Sequence, residues 1–300
     1  MPECRTSRCR LPIPFIVRVT QPGKSRSHGH WAVDGRNDGK MIVFSDLFHS
    51  AEAHMSEPAW TGLERDLHLR TLNLDYAPTG LLEMIAGAPR TVLDVGCFCG
   101  GSGRWLRRKF PAASLIGIEM IKQAAALAAG SYDRVINARF EDIDFTAEDL
   151  RDGRFDAIIA ADVLEHMVNP WKALQRLRPL VADGGALYAS IPNVRNLRVI
   201  LDLAAGKWSY AGSGILDVTH LRFFTRQEID KLFAETGWLI EAARFNPDPQ
   251  LAQAFAGRDL ASLNAFSAGN LAFKNLTPDD LAELTAQQFY VKAQPTRLTN

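Results

Sequence analysis

Thr91-Val92-Leu93-Asp94-Val95-Gly96-Cys97-Phe98-Cys99-Gly100-Gly101-Ser102-Gly103 is the stretch from which the rest of the chain can be read. An apolar run from Val92 to Val95 carries one acid, Asp94, and ends in a loop with four glycines; Arg104-Trp-Leu-Arg-Arg-Lys then has helical character. The pattern predicts strand, tight turn and helix. Glycine admits backbone conformations closed to other residues and lets a ligand lie on the peptide planes, and the first turn of the helix offers unpaired N–H groups. A nucleotide-like ligand suits such a turn. The glycine spacing does not match the G-x-G-x-x-G fingerprint of dinucleotide sites, and the Gly-Lys-Ser/Thr ending of a phosphate loop is absent. Asp94 lies two positions before the first glycine, at the strand tip, where it would meet a cation or an amine.

These residues resemble the first motif of the class I S-adenosylmethionine-dependent methyltransferases, roughly D-x-G-x-G-x-G. Asp94, Gly96 and Gly100 match, and Phe98 stands where the middle glycine is usual. The resemblance implies an α/β fold: a doubly wound, seven-stranded, mostly parallel Rossmann-like sheet. It also implies S-adenosyl-L-methionine as cofactor, held by Asp94, Gly96, Cys97, Phe98 and Gly100. Two other readings stay open. One is a nicotinamide-dependent reductase on a related sheet; the other is a partner subunit that binds the cofactor and methylates nothing.

The composition sets outer limits. Three hundred residues with 47% hydrophobic content suffice for a sizeable core. Lysine plus arginine equals aspartate plus glutamate at 34 each, so no global field steers the chain towards nucleic acid. No apolar stretch reaches the roughly 18 residues that span a bilayer, and a cytoplasmic location is expected. The four cysteines are Cys4, Cys9, Cys97 and Cys99. None sits at metal-ligand spacing with a histidine or a second cysteine pair, so no metal site is expected.

Residues 1–54 are rich in Arg, Ser, Gly and Pro, and the reading there is a disordered basic tail or sequence upstream of a start at Met41 or Met55. A methyltransferase domain is expected over 55–296. Trp60, Leu63, Leu67 and Leu72 recur near helical spacing, and Ala77 to Ile85 reads as a second helix. Tyr76 lies near the expected cofactor edge.

After the loop helix, Ser114-Leu-Ile-Gly-Ile-Glu119 has a buried-strand pattern ending in an acid 25 positions beyond Asp94. A βαβ unit requires about that spacing, and a carboxylate at the second strand's tip can accept both hydroxyls of a ribose. In the family the matching acid does this, which implies the role for Glu119, with Met120 beside it. A helix from Lys122 to Ala129 and a third strand from Arg134 follow. The family often places an adenine-binding acid at this strand's tip; Arg139 occupies that place here, so adenine contact falls to the backbone around Phe140, with Glu141 or Asp142 nearby. Phe155 to His166 reads as a fourth strand buried on both faces, and its exit, Asp162-Val163-Leu-Glu-His166, resembles the family's fourth motif. Asp162 and Val163 are thereby implied at the cofactor, and His166 as a general base or a loop-orienting residue.

A Gly-Gly turn leads into a fifth strand, after which residues of about 192–224 form an inserted lid bearing Trp208 and Tyr210. Ile191-Pro-Asn and Gly214-Ile-Leu-Asp-Val-Thr-His-Leu-Arg-Phe-Phe-Thr225 resemble a branch associated with glycan assembly. That resemblance implies O-methylation of a sugar or other small-molecule hydroxyl, with Asp217, His220 and Arg222 near the acceptor. Thr225-Arg-Gln-Glu228 reads as a capping box, Trp238 to Phe245 as a sixth strand, 246–285 as a largely helical excursion, and Gln288 to Ala293 as a seventh strand. In the family that last strand inserts antiparallel.

Overall fold

The computed structural model describes residues 76–150, 152–260 and 263–296. The expected tail and the helix through Trp60 and Leu67 lie outside the described residues. Within them, β1 (Thr91–Val95) lies between β2 (Ser114–Ile118) and β4 (Phe155–Ala161), parallel to both, and β3 (Arg134–Ile136) extends the sheet beyond β2. β5 (Val181–Pro192) pairs parallel to β4. β9 (Ala286–Pro295) inserts antiparallel between β5 and β6 (Trp238–Pro247), giving the order β3-β2-β1-β4-β5-β9-β6. The expected sheet is therefore present, seven-stranded and mostly parallel.

Both faces are buried because helices cross between parallel strands. Along β1, side chains alternate. Leu93 and Val95 join one core with Ile116, Ile118, Ile158 and Leu187; Val92 joins the opposite one with Leu115, Ala157, Ile159 and Tyr132. Asp94 shares the face of Val92, which puts its carboxylate inside the second core. Helices α1 (Thr79–Leu82), α2 (Gly101–Lys109) and α3 (Lys122–Ala128) belong to the first half of the chain. α4 (Pro170–Leu177) starts as its sequence suggests, with Asn169 Oδ1 accepting the N–H of Lys172 and Pro170 in the first turn. α6 (Arg226–Glu235) carries the Thr225 half of the expected cap, its hydroxyl accepting from the Glu228 N–H.

The excursion departs from its largely helical reading. α7 (Pro249–Ala254) and α8 (Pro278–Thr285) flank a hairpin of β7 (Phe266–Ala268) and β8 (Leu271–Phe273). The two-residue connection Gly269-Asn270, with Gly269 at φ +56°, permits a tight reversal. The rings of Phe266 and Phe273 stack at 4.8 Å across the pair. These elements do not stand apart from the lid. Its helix α5 (Leu197–Ala204) contributes Leu197 and Leu201 to a third core with Leu251, Phe255, Phe266 and Leu281. The segment after β5 and the excursion thus share one core. Asn193, wholly buried, joins them: its Nδ2 donates to the carbonyls of Glu283 (2.7 Å) and Ala286 (3.0 Å). No described helix is long and apolar enough to cross a membrane.

Candidate functional site

At the C-terminal edge of the sheet, the glycine loop leaves β1 with Gly96 at φ +76° and enters α2 through Gly100 at φ +82°. Gly96 is small because Val163 lies on it; a Cβ there would stand 2.4 Å from Val163 Cγ2. Gly103 makes room for the Tyr132 ring, and Gly101 for the backbone carbonyl of Tyr76. These glycines serve packing of the protein on itself. Cys97 and Cys99 are buried free thiols. Cys97 packs on Gly117, and burial raises its pKa, with Asp94 and Glu119 adding to the effect. Its side chain belongs to the core, so only its backbone remains for the cofactor role implied by the resemblance.

Phe98 takes the left-handed conformation at φ 44°, where glycine is usual and other residues are strained. One contact accounts for it: the Phe98 N–H donates to Glu119 Oε2 at 3.0 Å. Glu119 Oε1 accepts the Ile121 N–H at 2.7 Å, and Asn137 donates to the carbonyls of Glu119 and Met120. Burial raises the Glu119 pKa and these N–H groups oppose the rise. The carboxylate is thus pinned across the loop, and each oxygen, with one N–H engaged, keeps acceptor capacity for a diol. Met120 beside it is exposed.

Asp94 lies beneath the loop. It is 1% exposed and accepts the Tyr132 hydroxyl. Burial lifts its carboxyl to about 7, against the Tyr132 hydrogen bond, which lowers it, and with the Glu119 charge adding to the rise. Tyr132 had no role in the sequence reading; it precedes β3 without any motif around it. Phe140 is core, with the Arg176 guanidinium over its ring at 5.3 Å. Glu141 Oε1 accepts the Val168 N–H and its other oxygen meets Arg139, so this acid braces the loop after β4.

Asp162 closes β4 at φ 53°. Its carboxylate collects three donors from separate elements: Tyr76 Oη at 2.6 Å, Ser190 Oγ at 2.8 Å and Gln288 Nε2 at 2.8 Å. Beyond it the chain turns, and Glu165 and His166 meet the lid. The His166 and His220 rings lie 4.7 Å apart, edge to face. His166 Nδ1 stands 3.1 Å from the Thr219 carbonyl, and His220 Nδ1 2.9 Å from that of Ile215. Asp217 Oδ1 accepts both the N–H and the hydroxyl of Thr219, so it shapes the turn that carries His220. Arg222 is spent on the carbonyls of Leu221 and Val168. Glu165 is 1% exposed, and among the described residues neither of its oxygens has a hydrogen-bond partner. Burial raises its pKa well above the usual carboxylate range, reinforced by the charges of Asp162 and Asp217. The sequence reading quoted Glu165 within a motif and assigned it nothing.

Most of the expected residues therefore gather on one edge: Gly96, Phe98, Gly100 and Glu119 from the first strands, Asp162, Val163 and His166 from β4, His220 from the lid. A cavity of about 270 Å³ lined by Pro89, Arg90, Asp156, Tyr188 and Lys292 lies at the strands' opposite end and contains none of them. The donor chemistry fits S-adenosylmethionine: a pinned carboxylate at the β2 tip for a diol, and further carboxylates at the β4 exit for a cationic sulfur.

Comparison with known proteins agrees. A family model described as a methyltransferase domain matches residues 68–243. A ubiquinone biosynthesis O-methyltransferase of Coxiella burnetii is 30% identical over 56% of this chain and 67% of its own length. A chloroplastic tocopherol O-methyltransferase of Arabidopsis thaliana is 35% identical over 33% of this chain, and the chain spans only 29% of that relative. Among solved structures, a chain from the complex of the Haloferax volcanii Trm112 methyltransferase activator with a methyltransferase superposes with a TM-score of 0.51. It covers 80% of this chain and 97% of its own length at 15% identity, a likeness of fold.

Proposed function

The chain belongs to the methyltransferase-domain family and is an S-adenosylmethionine-dependent methyltransferase, and from that premise we propose that it methylates a hydroxyl oxygen of a small molecule. The supporting observation is the meeting of Glu119 and Phe98 at the glycine loop with the Glu165, His166 and His220 cluster on the same sheet edge. S-adenosylmethionine, when bound, supplies a methyl carbon on a positively charged sulfur to an in-line nucleophile. Glu119 would hold the ribose, and Gly96, Phe98 and Gly100 would pass backbone along the ligand. Asp162, fixed by Tyr76, Ser190 and Gln288, would set the floor between cofactor and acceptor. Holding two reactants in line can supply about 7–11 kcal/mol of the barrier.

A hydroxyl must lose its proton as it attacks. With Nδ1 of His220 turned to the Ile215 carbonyl, the neutral ring carries its lone pair on Nε2, the nitrogen that faces Glu165 at 3.8 Å. Proton uptake at this cluster would contribute roughly 10²–10⁴-fold. Asp217 then acts through Thr219, as a positioning residue. Tocopherol and ubiquinone-pathway acceptors of the relatives support a small-molecule hydroxyl; the saccharide acceptor rests on the lid run around His220 and is an arm of the test.

The test is binding and turnover with the full chain. S-adenosylhomocysteine should bind, and Glu119→Gln should weaken it about ten- to hundredfold, since a hydrogen bond to a charged group contributes about 1.5–3 kcal/mol. Methyl transfer to a panel of phenols, carboxylic acids, amines and saccharides should favour hydroxyl acceptors. Transfer to amines or acids alone would overturn the O-methylation reading.

A further inference from the structure

We propose that the cavity at the N-terminal end of the parallel strands binds a small metabolite that carries a carboxylate or phosphate oxyanion on a compact apolar body. The proposal goes beyond the methyl-transfer reading and does not rest on it, since the cavity lies at the opposite end of the strands from the glycine loop and Asp162. Its volume is about 270 Å³. At the roughly 30 Å³ that each water takes in the liquid, that is room for about nine waters, or for one small organic molecule.

Two cations set its chemistry. Arg90 ends the connection from α1 to β1, and Lys292 lies on β9. Lys292 and Tyr188 are register partners on β9 and β5, so the ammonium and the phenol ring stand side by side on one face of the sheet. Lys292 Nζ meets Glu241 Oε2 at 2.8 Å, which uses one of its three N–H donors. Arg90 is less engaged. Other arginines of this chain reach their acids within hydrogen-bond distance, Arg107 to Asp133 at 3.0 Å and Arg226 to Asp230 at 2.8 Å. Arg90 Nε stands 3.8 Å from Asp156 Oδ2, and its side chain is 89% exposed. That oxygen already accepts the backbone N–H groups of Arg90 at 2.7 Å and Thr91 at 3.0 Å. The neighbouring acid is thus committed to the start of β1, and a guanidinium fork stands at the cavity with donors to give to an oxyanion.

The rest of the lining suits the body of such a molecule. Ile85, Pro89 and the Tyr188 ring are buried and supply apolar wall. Apolar walls with a few convergent donors fix a ligand by its polar end. An oxyanion between Arg90 and Lys292 would lay the remainder of the molecule on those walls. A cationic ligand would meet two positive groups, and a wholly apolar one would strip them of water without replacing it.

The experiment is calorimetric titration of the full chain with phenyl phosphate, with benzoate and, as the uncharged counterpart, with benzamide. Phenyl phosphate or benzoate should bind at one per chain, and benzamide at least about tenfold more weakly. Binding of phenyl phosphate alone assigns the site to phosphate esters, and binding of benzoate alone to carboxylic acids. Arg90→Gln and Lys292→Met should each weaken the anion at least about tenfold. Circular dichroism checks that both variants fold. Hydrogen exchange on the unaltered protein is a second readout: the anion should protect residues 85–91 and 184–188 and leave the glycine loop at 96–101 unchanged. Saturating S-adenosylhomocysteine should not displace it. Binding of neither anion, affinity unchanged in either variant, protection of the glycine loop in place of 85–91, or displacement by S-adenosylhomocysteine overturns the proposal.

Discussion

The Tyr132 hydroxyl donates to the Asp94 carboxylate beneath the glycine loop, joining the centre of β1 to the turn before β3. Asp94 matches the family motif, yet its side chain is turned into the core.

Its titration has a definite sign. Burial raises the carboxyl from near 4 to about 7, so the folded state binds a proton more tightly than the unfolded chain does. That contribution to stability is fully present below about pH 4 and is lost as pH rises through 7. Asp94→Asn keeps the shape and removes the proton. Relative to the unaltered protein, this variant should gain stability between pH 4 and 7, by up to about 4 kcal/mol. Urea unfolding midpoints at pH 4, 5.5 and 7 test it; parallel curves for the two proteins would sink the idea.

Gly101 and Gly130 differ although both are glycines of the cofactor half. A Cβ on Gly101 would lie 1.7 Å from the Tyr76 carbonyl, whereas among the described residues beyond its own chain neighbours none comes within 4 Å of one on Gly130. Gly101→Ala should therefore destabilise by about 1–3 kcal/mol through overpacking. It should also lower turnover, since the displaced segment carries the Tyr76 contact to Asp162. Gly130→Ala should stay within about 0.5 kcal/mol of the parent. Thermal unfolding of the two variants side by side decides.

Asn193→Ala removes two hydrogen bonds in a wholly buried place and leaves the carbonyls of Glu283 and Ala286 without that donor. About 2–4 kcal/mol of destabilisation is expected. S-adenosylhomocysteine affinity should hardly change, because the glycine loop and Glu119 lie on other strands. A large loss of affinity with unchanged stability would contradict this separation of the excursion from the cofactor site.

The strands of the first half were legible because each carries a local signal, whereas the antiparallel place of the last strand came from the family resemblance. Val92 to Val95, Ser114 to Ile118 and Phe155 to Ala161 are apolar runs bounded by turn residues, and the acid at Glu119 has the spacing of a βαβ unit. The hairpin at Gly269-Asn270 was missed. Its strands are three residues each, and the alanine- and leucine-rich neighbourhood carries a helical signal that outweighs them.

By itself the sequence determined the doubly wound sheet and the glycine turn after its first strand, since periodicity and turn chemistry act between near neighbours. Only the tertiary structure decided which groups each acid meets. Asp94 turns to Tyr132, Glu141 is taken by Val168 and Arg139, and Glu165 meets His220 from a distant part of the chain. A carboxylate's role depends on its burial and on which donors reach it, and those donors come from segments that only folding brings together.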